Sequence, residues 1–405
     1  MLETEAQNAG NPFLKALVQL LIVCLALIQS VGIAATQNAQ KQKGDEPIRL
    51  NANLVQVPAL VTDQSGRFVS DLSRGDFKVS EDGKHQEISI FAAVRQPFSA
   101  VLVLDTSNSA QDRLRVIQNA AISFIGQLRP GDRVMVISFD NEVRELTEFT
   151  EDRTELEGAI RSTESGFGKL LYEAIGRALE KLKNVEGRRA VILFSDGVDM
   201  RSIEATAEGT TKMAEEIGAV IYVARFDTRW WIDAAARQQE AEHPKSKVPF
   251  HVDGRIPLPP DYGGPDPTPT GFPKPNAPKI EIGQRPRPPV VYDPNAPGSP
   301  SQRLPETERD EITTTLDKLY GEADGYLQTI TARTGGRVYL TNTFDDTRSA
   351  FAAIAEELRN QYLIGYYSAS NRPDGKYHKI KIELTKKGLQ VRARPGYRAA
   401  SEPAR

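Results

Sequence analysis

The stretch Ala100-Val101-Leu102-Val103-Leu104-Asp105-Thr106-Ser107-Asn108-Ser109 decides the fold. Five apolar residues in a row mark a strand buried on both faces. The run ends on a carboxylate, followed by hydroxyls at alternate positions. Beyond it, Leu114, Ile117, Ala121, Phe124, Ile125 and Leu128 share one helical face, which Pro130-Gly131 closes. The alternation then repeats, with strand 133–139, helices within 152–160 and 170–182, strand 190–194, helix 203–217 and strand 219–226. Strand and helix in succession predict an α/β fold with a doubly wound, mostly parallel sheet of Rossmann-like kind. In such a sheet ligands sit beyond the carboxyl ends of the strands, so Asp105 and its hydroxyls stand at the expected binding edge.

The pattern fails after Asp227. Residues 244–305 hold 18 of the chain's 26 prolines, which excludes helices and central strands there. This predicts a proline-rich insertion over 228–306, with Trp230-Trp231 at its entrance. It reads either as a partner-binding polyproline segment or as a tolerated surface loop. The α/β pattern resumes with a helix over 310–334, then Gly335, placed where a helix C-cap takes positive φ, a strand over 337–340 and a helix over 345–360.

Both ends of the chain read differently. Residues 48–61 alternate at period two, 77–79 and 88–94 are further strands, and 361–367, 377–384 and 389–394 carry the same pattern near the other terminus. Neither set makes a core alone. They predict one β-sandwich built from both chain ends, flanking the α/β domain inserted between them. The expected division is a leader over 1–35, a spacer over 36–47, an N-terminal β-rich segment over 48–96, an α/β domain over 97–360, C-terminal strands over 361–397 and a tail over 398–405.

The leader rests on the apolar run 16–28 after Lys15, with small residues at Gly32, Ala34 and Ala35. It reads as a secretory signal peptide, with an uncleaved N-terminal anchor as the alternative and the only route to a membrane. Either reading predicts a secreted, periplasmic or cell-envelope protein. Among 405 residues there are 51 Lys+Arg against 54 Asp+Glu, four scattered histidines and the single Cys24 inside the apolar run. That balance argues against a charge-driven nucleic-acid binder, and the His and Cys count against zinc, disulfide or cysteine chemistry.

An Asp with two Ser on one loop is an oxygen-only donor set suited to a hard cation, although Asp105 in a βα turn also serves as a helix cap. Two further motifs accompany it, Ser195-Asp196-Gly197 at another strand end and Leu171-Tyr172-Glu173-Ala174 at a helix start. With 101–109, Arg129-Pro130-Gly131-Asp132-Arg133-Val134, 171–175 and 193–197, the chain resembles the von Willebrand factor A (VWA) domain family over roughly 97–227 and 307–360. Flanking stretches, including Glu81-Asp82-Gly83-Lys84 and 355–366, look like its secreted Acidobacterial VWFA-related branch. The resemblance implies a metal-ion-dependent adhesion site for Mg²⁺ or Mn²⁺, with Asp105, Ser107, Ser109 and Asp196 as ligands, and a protein partner engaged through an acidic residue.

Aligning Leu171-Tyr172 with the family puts Lys169 where the family has a metal-ligating threonine. Two arrangements follow. Lys169 either reaches the carboxylates and replaces the cation, or points to solvent while Thr163 or Ser165 supplies the hydroxyl. The first makes the chain a structural or assembly protein with a locked site, and the second a metal-dependent adhesive one. No enzyme is expected. Gly166-Phe167-Gly168-Lys169-Leu170 lacks the first Gly and the Ser/Thr of a phosphate loop. Ser195 has neither a nucleophile elbow nor a neighbouring His, and a metal-assisted hydrolase would need a base that the sequence does not show.

Overall fold

The computed structural model describes residues 54–92, 96–229, 311–368 and 374–400. The expected signal peptide, Cys24, the spacer, Trp230-Trp231, the proline-rich stretch and the tail from 401 lie outside the described residues.

The centre of the molecule is a six-stranded sheet. It comprises β5 (Phe98–Asp105), β6 (Arg133–Phe139), β7 (Val143–Glu145), β8 (Arg188–Ser195), β9 (Val220–Arg225) and β10 (Arg337–Leu340), in the order β10-β9-β8-β5-β6-β7. All neighbours run parallel except the β6–β7 pair. Because successive residues of β5 point to opposite faces, Ala100, Leu102 and Leu104 enter one core and Val101 and Val103 the other.

The first core is closed by α1 (Leu114–Ile125), α2 (Arg153–Arg161) and α6 (Phe344–Arg359). The second is closed by α3 (Leu171–Leu182), α4 (Ala207–Ile217) and α5 (Glu311–Thr334). A 3₁₀ turn, Asn108–Arg113, connects the Asp105 loop to α1. Gly335 ends α5 at φ +79°, the left-handed conformation expected of it.

The α4 helix differs from expectation. It starts at Ala207, not at residue 203. Glu173 accepts hydrogen bonds from the Ile203 and Glu204 amides at 2.9 and 3.4 Å, holding them in a loop, and Thr206 caps the helix at the Gly209 amide. Local side-chain bonding outcompetes the helix there.

Two four-stranded sheets form the sandwich. One has the order β13-β1-β11-β4 and the other β14-β12-β2-β3. Their strands are β1 (Leu54–Asp63), β2 (Phe77–Glu81), β3 (Lys84–Gln86), β4 (Ile90–Ala92), β11 (Gln361–Tyr367), β12 (Tyr377–Leu384), β13 (Leu389–Ala393) and β14 (Gly396–Arg398). β1 pairs antiparallel with β11 and β13, and β2 with β12, so each sheet joins strands from both ends of the chain. Val55, Val57, Val61, Phe77 and Val79 share one core with Tyr362, Ile364, Ile380 and Tyr397. Among the described residues no helix is long and apolar enough to cross a membrane.

Candidate functional site

Parallel pairing builds the site. Leu104 on β5 stands opposite Phe194 on β8, so the next residues on each, Asp105 and then Ser195-Asp196, emerge together at the carboxyl edge. The Ser107-Asn108-Ser109 turn folds back on Asp105, whose Oδ1 accepts from the Ser107 amide at 3.0 Å and its hydroxyl at 2.5 Å. Ser107 and Ser109 hydroxyls lie 3.2 Å apart. Asp105 Oδ2 accepts from Ser195 Oγ at 2.8 Å.

Asp196 Oδ1 accepts from the Val198 amide at 3.0 Å. Its Oδ2 accepts from both Lys169 Nζ and Thr228 Oγ1. The expected ligands Asp105, Ser107, Ser109 and Asp196 are thus brought to one place, and Lys169 stands among them. Its ammonium contacts Asp196 and lies 3.9 Å from Asp105 Oδ2, and the whole residue is only 2% exposed. The solvent-pointing arrangement is therefore not the one adopted. Nor does Thr163 face the site, since its hydroxyl donates to Ile160 O at 2.8 Å and accepts from Gln118 Nε2 at 3.0 Å. Ser165 Oγ is buried without a hydrogen-bond partner.

Charge explains the arrangement. Two carboxylates, Asp105 and Asp196, are fully buried, and charges in such a place are tolerated only when paired. A unit charge 3.9 Å from another is attracted by about 4 kcal/mol at an effective dielectric near 20. One ammonium cannot neutralise two carboxylates. Burial accordingly raises the pKa of Asp105, the Lys169 ammonium opposes that rise and the Asp196 charge adds to it.

A family-type divalent site does not fit these residues. The space between the carboxylates is held by a cation bonded to the protein, and Asp105 Oδ1 is already doubly donated to.

Two contributors were not anticipated from sequence. Thr228 is 1% exposed although it stands where the regular pattern fails, and Tyr320 on α5 lies 2.6 Å from its hydroxyl. Burial raises the Tyr320 phenol well above its ordinary pKa, reinforced by the Asp196 charge. Thr228 follows the same grammar as Asp105 and Ser195, a polar residue just beyond a buried strand, and that signal was available. A helix face offers no such cue for Tyr320. On the loops that flank Lys169 and follow Asp196, Phe167 is 55% and Ile203 89% exposed. Their loops are tied together by hydrogen bonds from the Met200 and Arg201 amides to Lys169 O, at 3.0 and 3.2 Å.

A second ionisable cluster lies in the sandwich. Ligand atoms of Glu81, Asp82 and His378 lie within 4.8 Å of one another. His378 Nδ1 bonds Asp82 Oδ2 at 2.8 Å, and Nε2 lies 3.5 Å from Asp374 Oδ1.

Residues 100–198 match the family model described as von Willebrand factor type A domain. No curated protein matches the chain. Among solved structures, BatB from Bacteroides thetaiotaomicron is 26% identical over 32% of this chain and 66% of its own, with TM-score 0.29. An aerotolerance-related membrane protein from Bacteroides fragilis is 15% identical over 64% and 98%, with TM-score 0.33. The vWF domain of the type V pili tip protein Mfa5 from Porphyromonas gingivalis is 15% identical over 65% and 95%, with TM-score 0.33. The chain spans just under two thirds of the BatB structure and 40% of a Catenulispora acidiphila von Willebrand factor type A structure. Residues 100–198, which supply four of the six strands of the central sheet, are thus a von Willebrand factor type A domain region within the chain.

Proposed function

We propose that this chain is a non-enzymatic protein-interaction module of the cell envelope or exterior, and that its binding edge works without a divalent ion. VWA domains mediate protein–protein contacts in general, and many bind Mg²⁺ or Mn²⁺ there. Here the observation that carries the reading is the buried Lys169 ammonium, paired with Asp196 and 3.9 Å from Asp105. It supplies the positive charge that the carboxylates require. A partner carboxylate then has no open metal position to complete, and the exposed Phe167 and Ile203 provide the contact surface instead. The apolar run at 16–28 with its small-residue site supports export.

Calorimetric titration of the purified protein with Mg²⁺ and Mn²⁺ tests this. Wild type should give no binding heat, and a chelator should leave its melting temperature unchanged. Lys169→Thr removes the like charge, supplies a hydroxyl and should gain Mn²⁺ binding. Tight Mn²⁺ binding by wild type, unaffected by Lys169→Thr, would sink the reading.

A further inference from the structure

The contact between Lys169 and Asp196 has the geometry of a reaction as well as of an ion pair. We propose that Lys169 Nζ and Asp196 Cγ condense to an intramolecular amide, a covalent cross-link between the loop before α3 and the loop after β8. The proposal takes from the preceding reading only the position of Lys169: the ion pair described there is the reactant state, and in the product the Lys169 side chain still fills the place of a cation while its charge and that of Asp196 are gone together.

Four features of the site favour the reaction. Nζ touches Asp196 Oδ2, so the electrophilic carbon lies one C–O bond beyond the atom already in contact. All participants are excluded from water, with Lys169 at 2% and Asp105 and Asp196 at 0% exposure. Exclusion of water favours a condensation that releases water and opposes its reversal. The Val198 amide at 3.0 Å from Oδ1 is placed to steady the negative oxygen of a tetrahedral intermediate. Finally, Asp105 Oδ2 is 3.9 Å from Nζ, near enough to carry a proton.

The step balances without any co-reactant. Lys169 begins as an ammonium and passes one proton to Asp196 Oδ2, leaving a neutral amine and a carboxyl group. The amine lone pair forms the N–Cγ bond. Asp105 takes a second proton from nitrogen and returns it to the departing oxygen. The Cγ–Oδ2 bond breaks and water leaves. Nitrogen keeps its third hydrogen, Oδ1 becomes the amide oxygen, and Asp105 ends as it began. Thr228, whose hydroxyl donates to Oδ2, holds the leaving oxygen until it departs.

Mass spectrometry of the denatured full-length protein tests the proposal directly. Wild type should be lighter than its sequence by the mass of one water. After tryptic digestion, residues 162–177, uncut at Lys169, should be joined to residues 190–201. Lys169→Arg keeps a positive charge but cannot close the amide and should have its full mass. Asp105→Asn should slow the condensation at least tenfold in freshly translated protein, and an unchanged rate would remove Asp105 from the mechanism. Wild type of full mass, with the two peptides recovered separately, overturns the cross-link. That result leaves the metal-free reading to be judged by the Mn²⁺ titration, and Mn²⁺ binding by wild type overturns that reading whichever peptides are found.

Discussion

At the residue scale the decisive choice is Lys169, because it sets the charge of a site that water cannot reach. Lys169→Met leaves Asp105 and Asp196 buried without a cationic partner, which should cost about 3–5 kcal/mol by urea denaturation near neutral pH. The pH dependence has a definite sign. Asp105 has a raised folded pKa, so its contribution is fully present below the unfolded value of about 3.9 and is lost as pH rises through the folded value. The deficit of Lys169→Met should therefore be smaller at pH 5 than at pH 8, and an equal deficit at both would contradict this electrostatic account. His378 gives a second case. Burial alone would lower its pKa, but Asp82, Glu81 and Asp374 outweigh that and raise it. Its stabilisation is complete below about pH 6.5 and fades as pH rises through the folded value. The partners Asp82 and Asp374 are lowered, so their share is lost only in acid. His378→Gln should thus destabilise more at pH 6 than at pH 8.5, as read from melting temperatures. The Asp-x-Ser-x-Ser loop, Asp196 and the odd Lys169 were all legible in the sequence, since each lies in a short motif next to a buried strand. The direction of the Lys169 side chain was not, because burial of an ammonium is decided by carboxylates 27 and 64 residues away in the chain.

Elements were legible in proportion to their length and regularity. The long strands and helices follow from apolar periodicity, whereas β3, β7 and β14 are three residues each and have too little pattern to be read. β13 and the α5–β10 junction illustrate how tightly the elements meet. A Cβ on Gly336 would lie 1.7 Å from Ile221 O, a backbone atom of β9 that cannot rotate away. Gly336→Ala should force β10 from β9 and cost about 3 kcal/mol. Thr343→Ala acts on α6 alone, removing the bond to the Asp346 amide at 3.1 Å, and should cost about 1 kcal/mol. A thermal shift that ranks these two variants the other way would mean the sheet yields more easily than its backbone contacts imply.

For the whole molecule, the sandwich and the central α/β unit are joined by arginines, of which Arg188 and Arg394 are buried. Arg394 donates to Gln56 O at 2.7 Å and to Glu215 O at 3.2 Å. Arg188 on β8 donates to Gln361 O on β11 at 3.3 Å, and Arg392 on β13 pairs with Glu357 on α6. A chain restricted to residues 97–360 loses Arg392 from Glu357 and Arg394 from the Glu215 carbonyl, and it should be less soluble and melt lower than the longer protein; equal melting would mean the sandwich lends the α/β domain nothing. That the two chain ends share a sandwich was readable from their common period-two pattern, but the arginine contacts were not, since nothing in Arg392 or Arg394 names a carbonyl up to 338 residues away. The same separation imposes an order of assembly. β1 is among the first strands to be synthesised, yet both its neighbours, β11 and β13, come from the far terminus. Any chain emerging from a ribosome or a translocation pore must carry β1 with both edges open until β11 has followed it, and with one edge open until residues 389–393 have. Closing the sandwich therefore reports completion: a protein truncated before β13 is left with an unpaired strand edge, the feature that proteases and quality-control factors find most readily.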